Sequence, residues 1–215
     1  MDRTAPPMIV IATCLAALAG FVDAIAFTSL GGFFASFMSG NSTRLGVGLG
    51  TYGGLGEAAI AAALILCFVA GVIVASVIAR ARPKDQKSAV MAGVTLLLLT
   101  AAVLAAIAPG PIVLLLLAAA MGCENGVFNR DGEVTIGVTY MTGSLVRLGQ
   151  KAANALMGDK DRWGWVPYLT LWLGFVSGVV LGAASHDRWG WGALWAPPLA
   201  AAVLTMALRR ADRKA

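Results

Sequence analysis

Long, nearly uncharged apolar runs are the feature that most constrains this chain. Six of them, at about residues 9–30, 57–79, 89–108, 111–128, 166–185 and 192–208, approach the roughly 20 apolar residues that cross a bilayer. Charged residues make up 13% of the 215 residues, against about 25% in soluble domains. The runs therefore exclude a secreted domain or a soluble enzyme. They predict an all-α polytopic membrane protein whose partner is the lipid bilayer.

Basic residues set the predicted orientation. They cluster in the loop after the second span, between the fourth and fifth spans, and in the C-terminal tail: Arg80, Arg82, Lys84, Lys87, Arg130, Lys151, Lys160, Arg162, Arg209, Arg210, Arg213 and Lys214. Because cytoplasmic loops are enriched in Lys and Arg, these segments are expected inside. The sequence thus predicts six crossings with both termini cytoplasmic. The formal charge of +5 needs no nucleic-acid partner to explain it.

Two segments, about 31–56 and 129–158, are too polar or too glycine-rich for ordinary crossings. Met38–Gly46 and Met141–Gly149 share Met, Gly, Arg, Leu and Gly at equal spacing. This similarity predicts an internal duplication in which each half carries one re-entrant or broken-helix element.

The segments upstream of the two elements extend the repeat. Ala19–Phe27 aligns with Ala120–Phe128, which places Asp23 opposite Glu124. The predicted halves are 1–108 and 109–215, with three crossings each. Since three is odd, the halves must insert in opposite directions, as in the 3+3 inverted repeats of many transporters.

The two elements form the predicted solute site near the midplane. Gly40 and Gly143 are expected to turn the chain sharply, and Asn41 and Ser144 to cap two short helices. Their N-termini would converge and favour an anion or an electron-rich group. The predicted substrate-binding residues are Met38, Ser39, Gly40, Asn41, Arg44, Met141, Thr142, Gly143, Ser144, Arg147 and Asn125.

Charged residues in and near these elements have two interpretations. Arg44 and Arg147, expected in the first helical turn, can grip a carboxylate or phosphate. They can equally pair with Asp23 or Glu124. An acid at the centre of a membrane helix costs about 2.5–3.5 kcal/mol on insertion scales, so Asp23 and Glu124 are candidates for proton coupling or ion pairing. Asn125 can bind solute or form a helix–helix hydrogen bond.

The sequence predicts neither metal, cofactor nor enzyme activity. Cys14, Cys67 and Cys123 lie in apolar runs, and His186 is the one histidine. These residues give no spacing typical of a disulfide framework or a zinc site. Walker, dinucleotide, HExxH and GxSxG motifs are absent from the sequence.

The fifth span has two features of its own. The pentapeptide Asp-Arg-Trp-Gly-Trp brackets it, at 161–165 and 187–191, which is typical of interfacial anchors. One face of the helix lacks side chains at Gly174, Gly178 and Gly182, which allows another helix to pack closely. Internal packing and a homodimer seam both remain open for this stripe, and homodimerisation is predicted.

The motifs resemble the YoaK-like family of bacterial inner-membrane proteins. The resemblance rests on Gly20–Ala24, Gly31–Phe34, Met38–Asn41, Ala120–Gly126 and Tyr140–Ser144. Ser39 stands where that family usually has Thr, Glu124 where it usually has Gln, and Ser144 where it often has Asn. The resemblance implies six spans in a bacterial inner membrane and, loosely, a permease, within a domain of unknown function.

These observations favour a transporter or facilitator of a small polar solute, with an anion among the candidates. The alternatives are a channel, a lipid-headgroup flippase, and a membrane assembly protein that transports nothing.

Overall fold

The computed structural model describes residues 6–29, 31–130, 133–134 and 137–212. Within them lie eight α-helices: α1 (Pro6–Ser29), α2 (Met38–Gly50), α3 (Leu55–Ala81), α4 (Gln86–Ile107), α5 (Pro111–Glu124), α6 (Met141–Leu156), α7 (Val166–Trp189) and α8 (Ala196–Asp212). A 3₁₀ helix, Gly190–Trp195, joins α7 to α8. The strands β1 (Asn129–Arg130) and β2 (Glu133–Val134) pair antiparallel. The all-α expectation therefore holds apart from this short ladder. Arg213, Lys214 and parts of 129–158 lie outside the described residues.

Every predicted span falls on a helix, but the helices differ in length. Four helical stretches are long and apolar enough to cross a membrane: Met8–Ser29, Leu55–Ala81, Gln86–Ile107 and Val166–Arg210. The last contains α7, the 3₁₀ helix and most of α8. Helix α5 has 14 residues, about 21 Å at 1.5 Å per residue, and is shorter than the predicted 111–128. A multi-pass membrane protein fits these helices, whereas the six crossings stay a prediction.

Helices α1 and α7 pack closely because glycines remove side chains between them. A Cβ at Gly174, Gly178 or Gly182 would overlap backbone atoms of Thr13, Ala17 or Phe21, respectively. Since contact positions rise together along both helices, α1 and α7 run parallel. The glycine stripe of the fifth span thus packs against α1 of the same chain. It is therefore not available as a homodimer interface, and homodimerisation stays a prediction.

The ends of α1 and α7 are also tied by hydrogen bonds. Thr28 Oγ1 lies 3.0 Å from His186 Nδ1, and Ser29 Oγ lies 3.0 Å from His186 Nε2. His186 belongs to the last turn of α7. Within the described residues, no group of three His, Cys, Asp or Glu side chains could hold a metal ion.

Helices α3 and α5 pack in the same way. A Cβ at Gly71 would overlap the carbonyl of Ala119, and a Cβ at Gly122 would overlap the carbonyl of Phe68. Further along, a Cβ at Gly126 would crowd the side chain of Ala75. This pair is parallel too, so two close parallel pairs build most of the bundle.

Helices α4 and α8 run antiparallel. The Ser88 N–H, near the start of α4, donates to the Asp212 carboxylate at the end of α8, at 3.1 Å. Midway, the hydroxyls of Thr95 and Thr205 lie 3.2 Å apart. The α3–α4 loop, which carries Lys84, and the end of α8 therefore lie at the same end of the bundle. This agrees with the expectation that both are on one side of the membrane.

Candidate functional site

The loop after α1 turns back into the protein. Gly31 and Gly32 have φ of 67° and 83°, a left-handed conformation that favours glycine. The loop then reaches Asp23, whose Oδ1 accepts hydrogen bonds from the Ala35 and Ser36 amides at 2.8 and 2.6 Å. The Ser36 hydroxyl donates to Oδ2 at 2.6 Å. Asp23 lies six residues before the end of α1, so the loop descends about 9 Å beside the helix.

The loop before α6 is held in a similar way. Thr139 Oγ1 donates to Asn125 Oδ1 at 3.0 Å, and Asn125 Nδ2 donates to the Met121 carbonyl at 2.9 Å. Asn125 and Thr139 are both buried. In each loop, a hydroxyl residue just before a short helix bonds to a polar residue near the end of an apolar helix. The amide of Asn125 therefore bonds to the loop before α6 and to its own helix, and these two bonds are not the helix–helix hydrogen bond of the sequence interpretation.

The predicted helix caps are wrong by four residues, because the N-caps are Phe37 and Tyr140. Helices α2 and α6 begin at Met38 and Met141, so Asn41 and Ser144 lie inside them. The amide of Asn41 instead holds the loop, accepting from the Phe34 N–H at 3.1 Å and donating to the Phe34 carbonyl at 2.7 Å. Buried Ser144 donates its backbone N–H to the Tyr140 carbonyl.

The predicted turns at Gly40 and Gly143 are also wrong, because both glycines are helical. The sharp turn in the first half lies earlier, at Gly31 and Gly32. A Cβ at Gly40 would press on the ring of Phe37. Gly143 has open space where its Cβ would stand.

Arg44 pairs with neither predicted acid. Its guanidinium donates to the Glu57 carboxylate at 3.1 Å and to the Gly32 carbonyl at 3.2 Å, and it lies 4.2 Å above the ring centre of Phe33. As the seventh residue of α2, Arg44 lies one turn beyond its predicted place and faces the start of α3. Glu57, for which no role was predicted, is therefore its ion-pair partner.

Arg147, the seventh residue of α6, is exposed. It forms no ion pair with a residue that the structure describes. Lys151, one turn further along α6, pairs with Asp161 at 3.5 Å. The sequence contains no signal for either ion pair, because Arg44–Glu57 and Lys151–Asp161 connect different elements.

A cavity of about 440 Å³ lies between α1, α7 and the two loops. Its polar lining consists of Asp23, Thr28, Ser36 and Thr139. The remaining lining is apolar: Ala24, Phe27, Phe34, Phe37, Met141, Phe175, Val179 and Ala183. We call this space the aromatic cavity. Its volume is in the range of small-molecule sites.

A second cavity of about 410 Å³ lies where α2 and α6 begin. Its lining includes Met38 and Ser39 of α2, and Met141, Thr142 and Gly143 of α6. It shares Ser36, Phe37, Thr139 and Met141 with the aromatic cavity. Residues at the starts of both short helices thus line one cavity, whereas convergence of the helices at the membrane midplane stays a prediction. The described linings of both cavities omit Arg44, Arg147 and Asn41.

Glu124 is fully buried and is not part of the described lining of either cavity. Neither of its carboxyl oxygens has a hydrogen-bond partner within the described part of the chain. Its carboxyl group is near enough to that of Asp23 for the two to interact electrostatically. An unpaired buried carboxylate costs several kcal/mol. Glu124 therefore needs a proton or a nearby cation to remain in this position.

Comparison with known proteins gives the family of the chain. Residues 11–207 match the family model described as "Protein of unknown function (DUF1275)". A UPF0700 transmembrane protein of Rhizobium meliloti (strain 1021) is 34% identical over 204 residues, which cover 92% of this chain and 84% of the relative. No solved structure gives a significant match. These matches extend over most of the chain and do not test the narrower YoaK-like resemblance. The chain belongs to the DUF1275 family of membrane proteins.

Proposed function

We propose that the chain is a membrane transporter or facilitator that binds a small solute in the aromatic cavity and its neighbour. One observation carries this proposal: the loops before α2 and α6 both return into the protein and line the same space. Irregular backbone at membrane depth is tolerated where it lines a cavity. Secondary transporters commonly build their sites from broken helices of this kind.

We further propose that the two halves are an inverted repeat. In such a repeat, α5 of the second half corresponds to α1 of the first, and α7 corresponds to α3. The close parallel pair α1–α7 then corresponds to the close parallel pair α5–α3, which supports the proposal. Helices α4 and α8 exchange with each other, and they are antiparallel, as an inverted repeat requires. The sequences Phe68-Val-Ala-Gly71 and Phe175-Val-Ser-Gly178 occupy matching places in these pairs.

The contacts favour a repeat register that differs by one residue from the sequence alignment. Gly20 meets the Phe175 carbonyl as Gly122 meets the Phe68 carbonyl, so Gly20 and Gly122 correspond. In this register Asp23 matches Asn125 and not Glu124. The hydrogen bonds agree, because Ser36 donates to Asp23 as Thr139 donates to Asn125. Glu124 is then an acid without a counterpart in the first half.

Cysteine labelling tests the proposed insertion into a bacterial inner membrane with cytoplasmic termini. Lys84→Cys and Asp187→Cys are made separately in a background without Cys14, Cys67 and Cys123. A membrane-impermeant maleimide is expected to label position 187 in intact cells and position 84 only after permeabilisation. Labelling of both positions from the same side would contradict six crossings with opposed halves.

Flux through proteoliposomes tests the proposed function. Uptake of radiolabelled phosphate, acetate, methylammonium, benzyltrimethylammonium and glycerol is measured against protein-free vesicles. We expect saturable uptake of at least one solute, and Phe37→Trp should largely abolish it because Phe37 lines both cavities. Tyr52→Trp, at an exposed position outside both described linings, is the control.

The form of the result separates the alternatives. Uptake that does not saturate would favour a channel. Folded protein that moves none of these solutes but translocates labelled phospholipid would favour a flippase. Neither activity, together with a stoichiometric copurifying protein, would favour an assembly role.

A further inference from the structure

We infer that the aromatic cavity selects an organic cation with an apolar body, and not an anion. This inference deepens the proposed function and rests on it, since it names the class of solute for the same site. It departs from the anion that the helix N-termini and the two arginines had favoured in the sequence.

The wall of the cavity is the first observation. Phe27, Phe34 and Phe37 form a continuous cluster, with ring centres 5.2 Å apart in the first pair and 5.1 Å apart in the second. Phe175 of α7 adds a fourth ring to the lining. Aromatic rings present negative faces that attract cations, and clusters of rings are a known means of binding quaternary ammonium groups. A phenyl or alkyl body would pack against the same rings.

The exposure of these rings is the second observation. Phe27 and Phe37 are 49% and 41% exposed, although the ring of each packs against the ring of Phe34. Part of each side chain is therefore left uncovered by packing within the bundle. Such exposure is ordinary for a lipid-facing residue, but these two rings also line the cavity that contains Asp23.

The distribution of charge is the third observation. Asp23 lines the cavity, and no Lys or Arg does so among the residues that the structure describes. The guanidinium of Arg44 is already engaged by Glu57 and Gly32. A cation beside Asp23 would be attracted by its carboxylate, whereas an anion would be repelled by it.

The geometry of Asp23 completes the argument. Its Oδ1 accepts two amide donors, while Oδ2 accepts one donor, the Ser36 hydroxyl. A carboxylate oxygen has two lone-pair sites, so Oδ2 keeps acceptor capacity. The loop thus fixes the orientation of the carboxyl group but does not use all of its hydrogen-bond acceptor capacity. A ligand N–H or a quaternary ammonium group can approach this oxygen from the cavity.

Binding of three probes of similar ring size tests the inference. Isothermal titration of the purified full chain in detergent compares benzyltrimethylammonium, benzyl alcohol and benzenesulfonate, which are cationic, neutral and anionic. We expect the cation to bind at least about tenfold more tightly than either of the others, the scale of one charge-assisted contact. Benzenesulfonate binding equal to or tighter than the cation, or no binding of the cation, would overturn the inference.

Two variants with matched controls locate the binding. Asp23→Asn keeps an acceptor for the loop amides but removes the charge, and should weaken benzyltrimethylammonium at least about tenfold. Phe37→Leu keeps an apolar side chain but removes a ring face, and should weaken it about threefold. Asp85→Asn and Tyr52→Leu, both outside the described linings, should leave binding unchanged. Full binding by Asp23→Asn would overturn the inference.

The binding assay separates this inference from the proposed function because it requires no flux. Cation binding that depends on Asp23, together with vesicles that move none of the tested solutes, would support the inference and contradict transport. Saturable uptake of acetate or phosphate, without cation binding, would support transport and overturn the inference.

Discussion

Replacing Gly178 with valine is expected to destabilise the protein by about 3 kcal/mol or more, at the upper end of overpacking costs. For a chain of this length, this corresponds to a loss of roughly 6–12 °C in melting temperature. The reason is that a Cβ at Gly178 would overlap the backbone carbonyl of Ala17. Backbone cannot move aside as a flexible side chain can, so α1 and α7 must separate. Thermal unfolding in detergent, followed by tryptophan fluorescence, measures the loss.

Gly46→Val is the matched control for this substitution. Gly46 is also helical, and it has no atom within 4 Å of the place where its Cβ would stand. Valine is a better helix former than glycine, so Gly46→Val should melt close to the parent protein or slightly above it. A Gly178→Val variant that melts like Gly46→Val would show that α1 and α7 do not pack through their backbones.

The second large effect is expected at Asp23. Asp23→Ala removes the acceptor for the Ala35 amide, the Ser36 amide and the Ser36 hydroxyl together. Because an unsatisfied buried donor costs about 1–3 kcal/mol, the loss should reach about 3 kcal/mol. Asp23→Asn retains an acceptor oxygen for the amides and should lose about 1 kcal/mol or less. The two melting temperatures give this comparison directly.

Asp85→Ala serves as the control for the loss of an acid. Asp85 is exposed and its side chain makes no capping hydrogen bond to α4, so a change within about 0.5 kcal/mol is expected. Equal destabilisation by Asp23→Ala and Asp23→Asn would mean that charge, and not the three hydrogen bonds, holds the loop.

Apolar length predicted the helices well, and its failures have local causes. Runs of about 20 apolar residues can satisfy their backbone in a bilayer only as helices or closed barrels, so each predicted span coincides with a helix. Helix α5 ends at Glu124, four residues early, because Asn125 and the following residues form a turn that leads to β1. Hydrophobicity alone does not detect such a turn, since Val127 and Phe128 are as apolar as the helix before them.

The two short helices were anticipated from the sequence, and the contacts around them were not. The repeated Met-[Ser/Thr]-Gly motif marks where both helices begin, and residues from both starts line one cavity. The polar residues were misassigned because a side chain that can cap a helix can also bond to a loop, as Asn41 does with Phe34. The partner of Arg44 lies 13 residues away on α3, and spacing on one helix does not predict it. The aromatic cavity left no short motif, because its rings come from α1, the first loop and α7.

The register of the proposed repeat depends on which residues are matched. Matching the two acids places Asp23 opposite Glu124. Matching the helix contacts instead makes Gly20 and Gly122 corresponding positions in the two halves. The sequence Phe-Val-[Ala/Ser]-Gly, shared by α3 and α7, is consistent with this second register. At a close helix crossing the small residues must keep their positions, because a larger side chain would not fit between the backbones. A polar residue, in contrast, can be replaced by another polar residue of similar length.

The parallel pairing of α1 with α7 has a consequence for biosynthesis. The chain between Ser29 and Val166 must be made before α7 exists, which takes on the order of ten seconds at 5–20 residues per second. During that interval, the face of α1 that packs against the glycines of α7 lacks its final neighbour. An interim occupant, whether lipid or an insertion factor, must cover this face and then leave. The rate at which the second half is translated would therefore influence how much of the nascent protein reaches the native bundle.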